Sequence, residues 1–173
     1  MVIQLELFFD LSDAFGSVNR CRLLYKLGKD FGISGKLFLH ICSFLDHRQA
    51  RLKMNNMFGQ WIGSDIGTSA GTQLGPLLFV TYLHDVPRCI SPKFADNLVA
   101  LAAGANSEEV EKKLQFASDQ LSRWAKREKM QINVKKTKMM MFGDTGKDVV
   151  INIEGTVIEH VTSFKYLGVV MHT

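Results

Sequence analysis

Val110, Leu114, Ala117, Leu121 and Trp124 follow one another at steps of 4, 3, 4 and 3. That stepping predicts an amphipathic helix from about Ser107 to Lys129. Asn106 suits its N-cap, with Glu109 at the third helical position, and Glu108/Lys112 and Glu109/Lys113 stand at the spacing that favours a helix. A helix with one apolar stripe must lay that stripe on another element, and this requirement constrains the fold more than any other feature of the chain.

The flanking segments supply strands. Residues 3, 5, 7 and 9 are apolar while 4, 6 and 10 are polar, so the opening reads as a β-strand ending at Asp10. Two short helices are predicted over Leu23–Phe31 and Lys36–Leu45, separated by Gly32. Arg48–Met54 and Phe58–Ile66 predict a hairpin turning at Asn55-Asn56, and Gly63, Gly67, Gly71 and Gly75 mark the connection that follows. Pro76 suits the first turn of a helix over Leu77–His84. Lys93–Leu101 reads as two short strands folded about Asp96-Asn97, because Asp and Asn accept the positive φ of tight turns. From Lys138 the pattern returns to strands, Met139–Phe142, Val149–Ile153 and Phe164–Val170, punctuated by Gly143, Gly146 and Gly155. Strands and helices interleave without a repeat or a linker. The expected fold is one α+β domain over residues 1–173, an antiparallel sheet with helices packed on one face.

Composition excludes several classes. With 46% hydrophobic and 22% charged residues in 173, the chain is neither disordered, collagen-like nor low in complexity. The apolar run Leu74–Leu83 is about half the ~20 residues a membrane-spanning helix needs, so no membrane partner is expected. The opening residues resemble no signal peptide, and Cys21, Cys42 and Cys89 form no Cys-x-x-Cys pair. An intracellular protein, cytoplasmic or nuclear and not secreted, is therefore expected. The histidines never fall at the i, i+4 spacing of a helical zinc site.

Lys and Arg exceed Asp and Glu by 21 to 17, a net charge of +4. The basic residues cluster: Arg20, Arg22, Lys26, Lys29, Lys36, Arg48, Arg51 and Lys53 form one group, and seven more lie between Arg123 and Lys138. Such clusters suit a nucleic-acid partner, and equally a solvated face.

Two carboxylates lie where chemistry could be placed, Asp10 after Phe8-Phe9 and Asp96 after Phe94-Ala95. Strand ends on one edge of a sheet converge, and one or two carboxylates with substrate phosphates are a common Mg²⁺ site. An Asp after a strand is also a common turn residue. Trp124 reads as buried packing, Phe15 on its own as core, Asp13 as a solvated acid of a first turn or loop, and Asp85 in His84-Asp85-Val86-Pro87 as the end of a helix.

Longer strings are more specific. Phe8-Phe9-Asp10-Leu11-Ser12-Asp13-Ala14-Phe15 with Ser17-Val18-Asn19, then Gly71-Thr72-Gln73-Leu74-Gly75-Pro76-Leu77-Leu78-Phe79, then Phe94-Ala95-Asp96 follow in order. Asn133 to Lys138 and Phe164-Lys165-Tyr166-Leu167-Gly168-Val169 come later. In this order they resemble the successive palm motifs of reverse transcriptases, most closely those of non-LTR retrotransposons, over about Leu7 to Met171, and the last string looks like the family's hairpin before the thumb. The resemblance implies a polymerase palm-like fold and an RNA-directed DNA polymerase, with an RNA template, a DNA primer, deoxynucleotides and a two-ion Mg²⁺ site. By the same resemblance Asp10 and Asp96 are the catalytic metal ligands. Phe15 is the aromatic residue under the nucleotide sugar, Gly71 belongs to the nucleotide-facing loop, and Lys136 or Lys138 lies near the incoming phosphates.

The departures from the family are as specific. Asn97 stands where the family has a second Asp, Ser69-Ala70 where it has Pro-Gln, and Gly16 where an Asp is common. Nothing precedes the first strand and the chain stops at Thr173, so fingers and thumb are expected to be largely absent. The reading is a palm domain whose site is eroded at Asn97 and Ala70 and whose activity is impaired. The alternative is a non-catalytic nucleic-acid-binding or scaffold remnant of a transposon.

Overall fold

Alternation at the start of the chain becomes a strand, β1 (Ile3–Asp10), with Ile3, Leu5, Leu7 and Phe9 buried. The computed structural model describes residues 3–68, 71–91, 93–94, 97–142 and 149–173. They divide into two compact units, Met1–Ser12 with Asp85–Thr173, and Asp13–His84.

In the first unit β1 lies between β7 (Asn97–Gly104) and β8 (Lys138–Phe142), antiparallel to both. β6 (Lys93–Phe94) pairs antiparallel with β7 at one edge, and β11 (Glu159–His160) pairs parallel with β8 at the other. The order is β11-β8-β1-β7-β6. Register places Leu5 opposite Ala102, Leu7 opposite Ala100 and Phe9 opposite Leu98, all buried. Helix α4 (Ser107–Glu128) packs against β1 and β7, and its stripe of Val110, Leu114, Ala117, Leu121 and Trp124 is buried as the periodicity requires.

The ends of α4 are held locally. Asn106 Oδ1 accepts the Glu109 N–H at 2.9 Å, and Glu109 Oε2 accepts the Ala105 N–H at 3.1 Å. At the other end Trp124 Nε1 donates to Asp85 Oδ1 at 2.9 Å, and Arg127 donates to Asp85 and Glu128, each at 2.8 Å. The hydrogen bond to Glu128 is the main reason the Arg127 guanidinium is held above its ordinary pKa.

The Glu109 carboxyl is held below the ordinary carboxylate range, first by its hydrogen bond from Lys113 and then by the Ala105 N–H. A lowered folded pKa supports the helix above the unfolded value of about 4.3, and that support is lost as pH falls through the folded value. Glu109→Gln is therefore expected to flatten the acid limb of a Tm profile below about pH 4.3. An unchanged limb would mean that the carboxylate adds nothing to the helix start.

The opposite face of the sheet carries Phe8, Val99 and Met140, all buried. A hairpin of β12 (Ser163–Tyr166) and β13 (Val169–His172) lies over them, with the Phe8 ring 4.8 Å from Phe164 and 5.2 Å from Tyr166. Burial raises the Tyr166 phenol pKa, the charge of Glu6 adds to the shift, and the buried hydroxyl oxygen finds no hydrogen-bond partner among the described residues.

The second unit contains α1 (Arg20–Lys29), α2 (Gly35–Leu45) and α3 (Leu74–Tyr82). Asn19 Oδ1 caps α1 by accepting the Arg22 N–H at 3.0 Å. Buried Lys26 ties α1 to α3, donating to Tyr82 O at 2.8 Å. Between α2 and α3 runs an arm of nested pairs, β2 (Gln49–Ala50) with β5 (Ile62–Gly63) and β3 (Lys53–Met54) with β4 (Met57–Phe58). Its tip turns on Asn55 and Asn56 at φ 43° and 66°, the positive values a two-residue hairpin needs.

Several sequence expectations shift. α3 starts at Leu74 rather than Leu77, because Thr72 Oγ1 accepts the Gly75 N–H at 3.1 Å and closes an earlier turn. Phe164–Val170, one strand by its alternation, is most of a hairpin turning at Leu167-Gly168, as the resemblance implies. Of Val149–Ile153 only Asn152–Ile153 forms a strand, β9, paired with β10 (Thr156–Val157). Asp85 does not end a helix. It follows α3 and receives the Trp124 and Arg127 donors. Asn97 is not at a hairpin tip. It opens β7, opposite Phe94 and Asp10, and is not among the described residues with positive φ. Gly143 and Gly146 lie outside the described residues.

Candidate functional site

Asp10 closes β1, and the chain that follows α4 returns to meet it. The Asn133 N–H donates to Asp10 O at 2.8 Å, and the Asp10 N–H reaches Thr137 Oγ1 at 3.5 Å. Between these two anchors Asn133 O accepts the N–H groups of Lys136 and Thr137 at 3.1 and 3.0 Å. The Asn133 side-chain oxygen also accepts the Lys136 N–H, three residues on, at 3.3 Å. This tight turn holds Lys135 and Lys136 beside the strand end.

The result is a cavity of about 390 Å³ at the end of β1, lined by Asp10 and Asn97 together with Lys135, Lys136, Lys138 and Lys165. Asp10 and Asn97 are register partners on antiparallel strands. Lys136 Nζ stands 3.9 Å from Asp10 Oδ2. Lys138 is committed elsewhere, its ammonium bonded to Glu159 on β11. The resemblance left Lys136 and Lys138 as alternatives, and by geometry Lys136 is the one beside the carboxylate.

The donor set accommodates a hard cation. Asp10 supplies carboxylate oxygens and Asn97 a neutral amide oxygen, both types that Mg²⁺ accepts, while substrate phosphates complete such a shell. Among the described residues no cluster of three or more His, Cys, Asp or Glu could hold a metal on its own. Asp96 lies outside the described residues, as does Ala70. Four lysines against the carboxylates of Asp10 and Glu159 leave the cavity net positive, which suits an anion.

Phe15 and Gly71 belong to the other unit. The Phe15 ring stacks on Phe79 at 4.5 Å, and its carbonyl accepts the Thr68 N–H at 2.8 Å. Gly67, at φ +84°, leaves no room for a side chain, since a Cβ there would approach Gly16 O to 2.9 Å. Gly71 is exposed at φ +82°.

Sequence reasoning missed Lys135 and Lys165 as members of the site. Lys135 lay in the counted basic run, but nothing in its spacing separates it from other solvated lysines. Lys165 joins because β12 folds across the sheet, a tertiary event. Asn133, the residue that builds the turn, was legible as part of a string but not as a turn former.

A family model described as reverse transcriptase (RNA-dependent DNA polymerase) matches residues 4–171. The RNA-directed DNA polymerase from mobile element jockey of Drosophila melanogaster is 26% identical over 176 residues, covering 95% of this chain and 19% of that protein. The probable RNA-directed DNA polymerase from transposon BS of the same organism is 25% identical over 178 residues, with the same coverages of 95% and 19%. Among solved structures, apo telomerase from Candida tropicalis, truncated from its C-terminal domain, matches with a TM-score of 0.58 at 14% identity. That match covers 90% of this chain and 34% of the other, and it shows the fold alone. The chain spans 19% of the length of the curated relatives it matches.

Proposed function

The chain belongs to the reverse transcriptase family, and from that premise we propose that residues 1–173 form a palm domain that holds a primer end and a nucleotide at the Asp10 cavity. The type is that of non-LTR retrotransposons. Reverse transcriptases act on nucleic acid with divalent metal ions, and we assign Mg²⁺ here, with an RNA template, a DNA primer and deoxynucleotides. No helix among the described residues is long and apolar enough to cross a membrane, and our reading places the protein in the cytoplasm or nucleus.

The observation that carries the proposal is the register pairing of Asp10 with Asn97 beside the Lys135-Lys136 turn. Asp10 and Asp96 would hold the metal, which supplies charge neutralisation at the phosphate oxygens when bound. Lys136 and Lys165 would bind phosphates as point charges. Phe15 would limit the sugar and Gly71 would belong to the nucleotide-facing loop. The protein contributes mainly position, which is where most phosphoryl-transfer catalysis arises.

Asn97 favours a second reading, a non-catalytic nucleic-acid-binding remnant, because its amide brings no negative charge to the metal. Both readings require the cavity to bind phosphate. Primer–template binding by the 173-residue chain is expected to weaken with salt, and Lys135→Glu with Lys136→Glu to make the log–log salt slope shallower by about 1 per lost phosphate contact. Salt-insensitive binding, or a slope unmoved by both reversals, would remove the cavity from either reading.

A further inference from the structure

The β2–β5 arm exposes Leu52, Met54, Met57, Phe58, Trp61 and Ile62. An arm that only met water would not keep so many apolar side chains at its surface. Three cations lie among them, and residues 47–64 include no Asp or Glu. The Arg51 guanidinium sits 3.9 Å from the Phe58 ring centre and 4.4 Å from that of Trp61, with Lys53 Nζ 5.5 Å from Phe58. Arg48 lies 4.9 Å from the ring of Phe44. Arg51 thereby fixes two rings that remain 54% and 59% exposed.

A protein partner covering this arm would have to desolvate Arg48, Arg51 and Lys53 and bring carboxylates of its own to answer them, since residues 47–64 supply none. Single-stranded nucleic acid meets both features at once. Its phosphates neutralise the cations, and its unstacked bases lie on aromatic faces already braced by a guanidinium. A duplex keeps its bases stacked and offers only the first of these.

We propose that the β2–β5 arm is a stacking platform for single-stranded nucleic acid, built from Trp61, Phe58 and the neighbouring cations and sharing no residue with the Asp10 cavity. It rests on reading the chain as one that meets nucleic acid. The chain carries two tryptophans, and Trp124 is buried with its N–H bound to Asp85, so Trp61 reports the arm. Titration of the 173-residue chain with a single-stranded oligonucleotide of roughly 12 nucleotides, within the span such sites cover, is expected to quench Trp61 emission. Trp61→Phe should abolish the quench and keep most of the affinity, which fluorescence anisotropy of a labelled strand measures. Phe58→Ala with Trp61→Ala should weaken binding at least about tenfold, the loss of base stacking.

Heparin or a duplex of equal charge quenching Trp61 as strongly would overturn the stacking platform. So would oligonucleotide binding without a quench, which leaves the cavity reading standing. Absence of any oligonucleotide binding would sink both. Because Phe58 and Trp61 are exposed, their loss leaves the core intact, and unchanged Trp124 emission verifies it.

Discussion

Asn97→Asp is expected to lower the melting temperature in EDTA and to raise it when Mg²⁺ or Mn²⁺ is added, while the unaltered chain responds weakly to either ion. The reason lies in the register. Asp10 and Asn97 are direct cross-strand partners, so their Cβ atoms lie about 4.5–5.5 Å apart, and like charges placed there oppose pairing. The exchange sets a second carboxylate against Asp10 at a cost of about 0.2–1 kcal/mol, or up to roughly 4 °C for a chain of this size, and the lysines lining the cavity hold the loss to the low end of that range. A bound dication removes that repulsion. Even indirect changes around a metal alter affinity by about 10- to 100-fold, and a ligand at 100 times its Kd stabilises the fold by about 2.7 kcal/mol. The metal-induced rise in the variant should therefore exceed the loss seen in EDTA. For the same reason primer extension by the unaltered chain is expected at background. Equal metal responses from both proteins would show that Asn97 does not share the site with Asp10. Robust metal-dependent extension by the unaltered chain would overturn the view that the site is eroded.

Phe8→Ala should cost about 3–5 kcal/mol of unfolding free energy in urea, the range for truncating a buried phenylalanine. Phe8 is 3% exposed and is the one β1 residue whose ring meets both Phe164 and Tyr166. Aromatic pairs add about 0.5–1.5 kcal/mol beyond the area they bury, so the hairpin loses its hold as well as its packing partner. Because domains are stable by only about 5–15 kcal/mol, this is a large share. Proteolysis within 163–172 should accelerate, and the contribution of Lys165 to phosphate binding should fall with it. Leu101 lies on the same face but is 51% exposed, so Leu101→Ala should stay within about 0.5 kcal/mol. Similar losses for both would mean that Phe8 does not anchor the hairpin.

Much of the fold was legible in the sequence where the determining interactions lie within a few residues. The stripe from Val110 to Trp124, the Asn106 cap and the Asn55-Asn56 turn each depend on neighbours three or four positions away. The parity of Ile3, Leu5, Leu7 and Phe9 gave β1 its buried face because a strand repeats every two residues. Turn positions were less legible. Asp96-Asn97 and Asn55-Asn56 look alike as dipeptides, yet Asn97 is drawn into β7 by pairing with Asp10, 87 positions earlier. Parallel β11 was missed because two residues carry no period.

By itself, the sequence determined that an amphipathic helix would cover one face of a sheet, that Asp10 would end a strand, and that basic residues would cluster between Arg123 and Lys138. Tertiary structure alone decided that Lys136 rather than Lys138 stands beside Asp10, that Lys165 reaches the same cavity, and that Asn97 faces Asp10 across a strand pair. The physical reason is range. Periodicity and capping are written in local backbone geometry, whereas register and the fold-back of a hairpin follow from burying apolar surface such as Phe8 against residues more than 150 positions away.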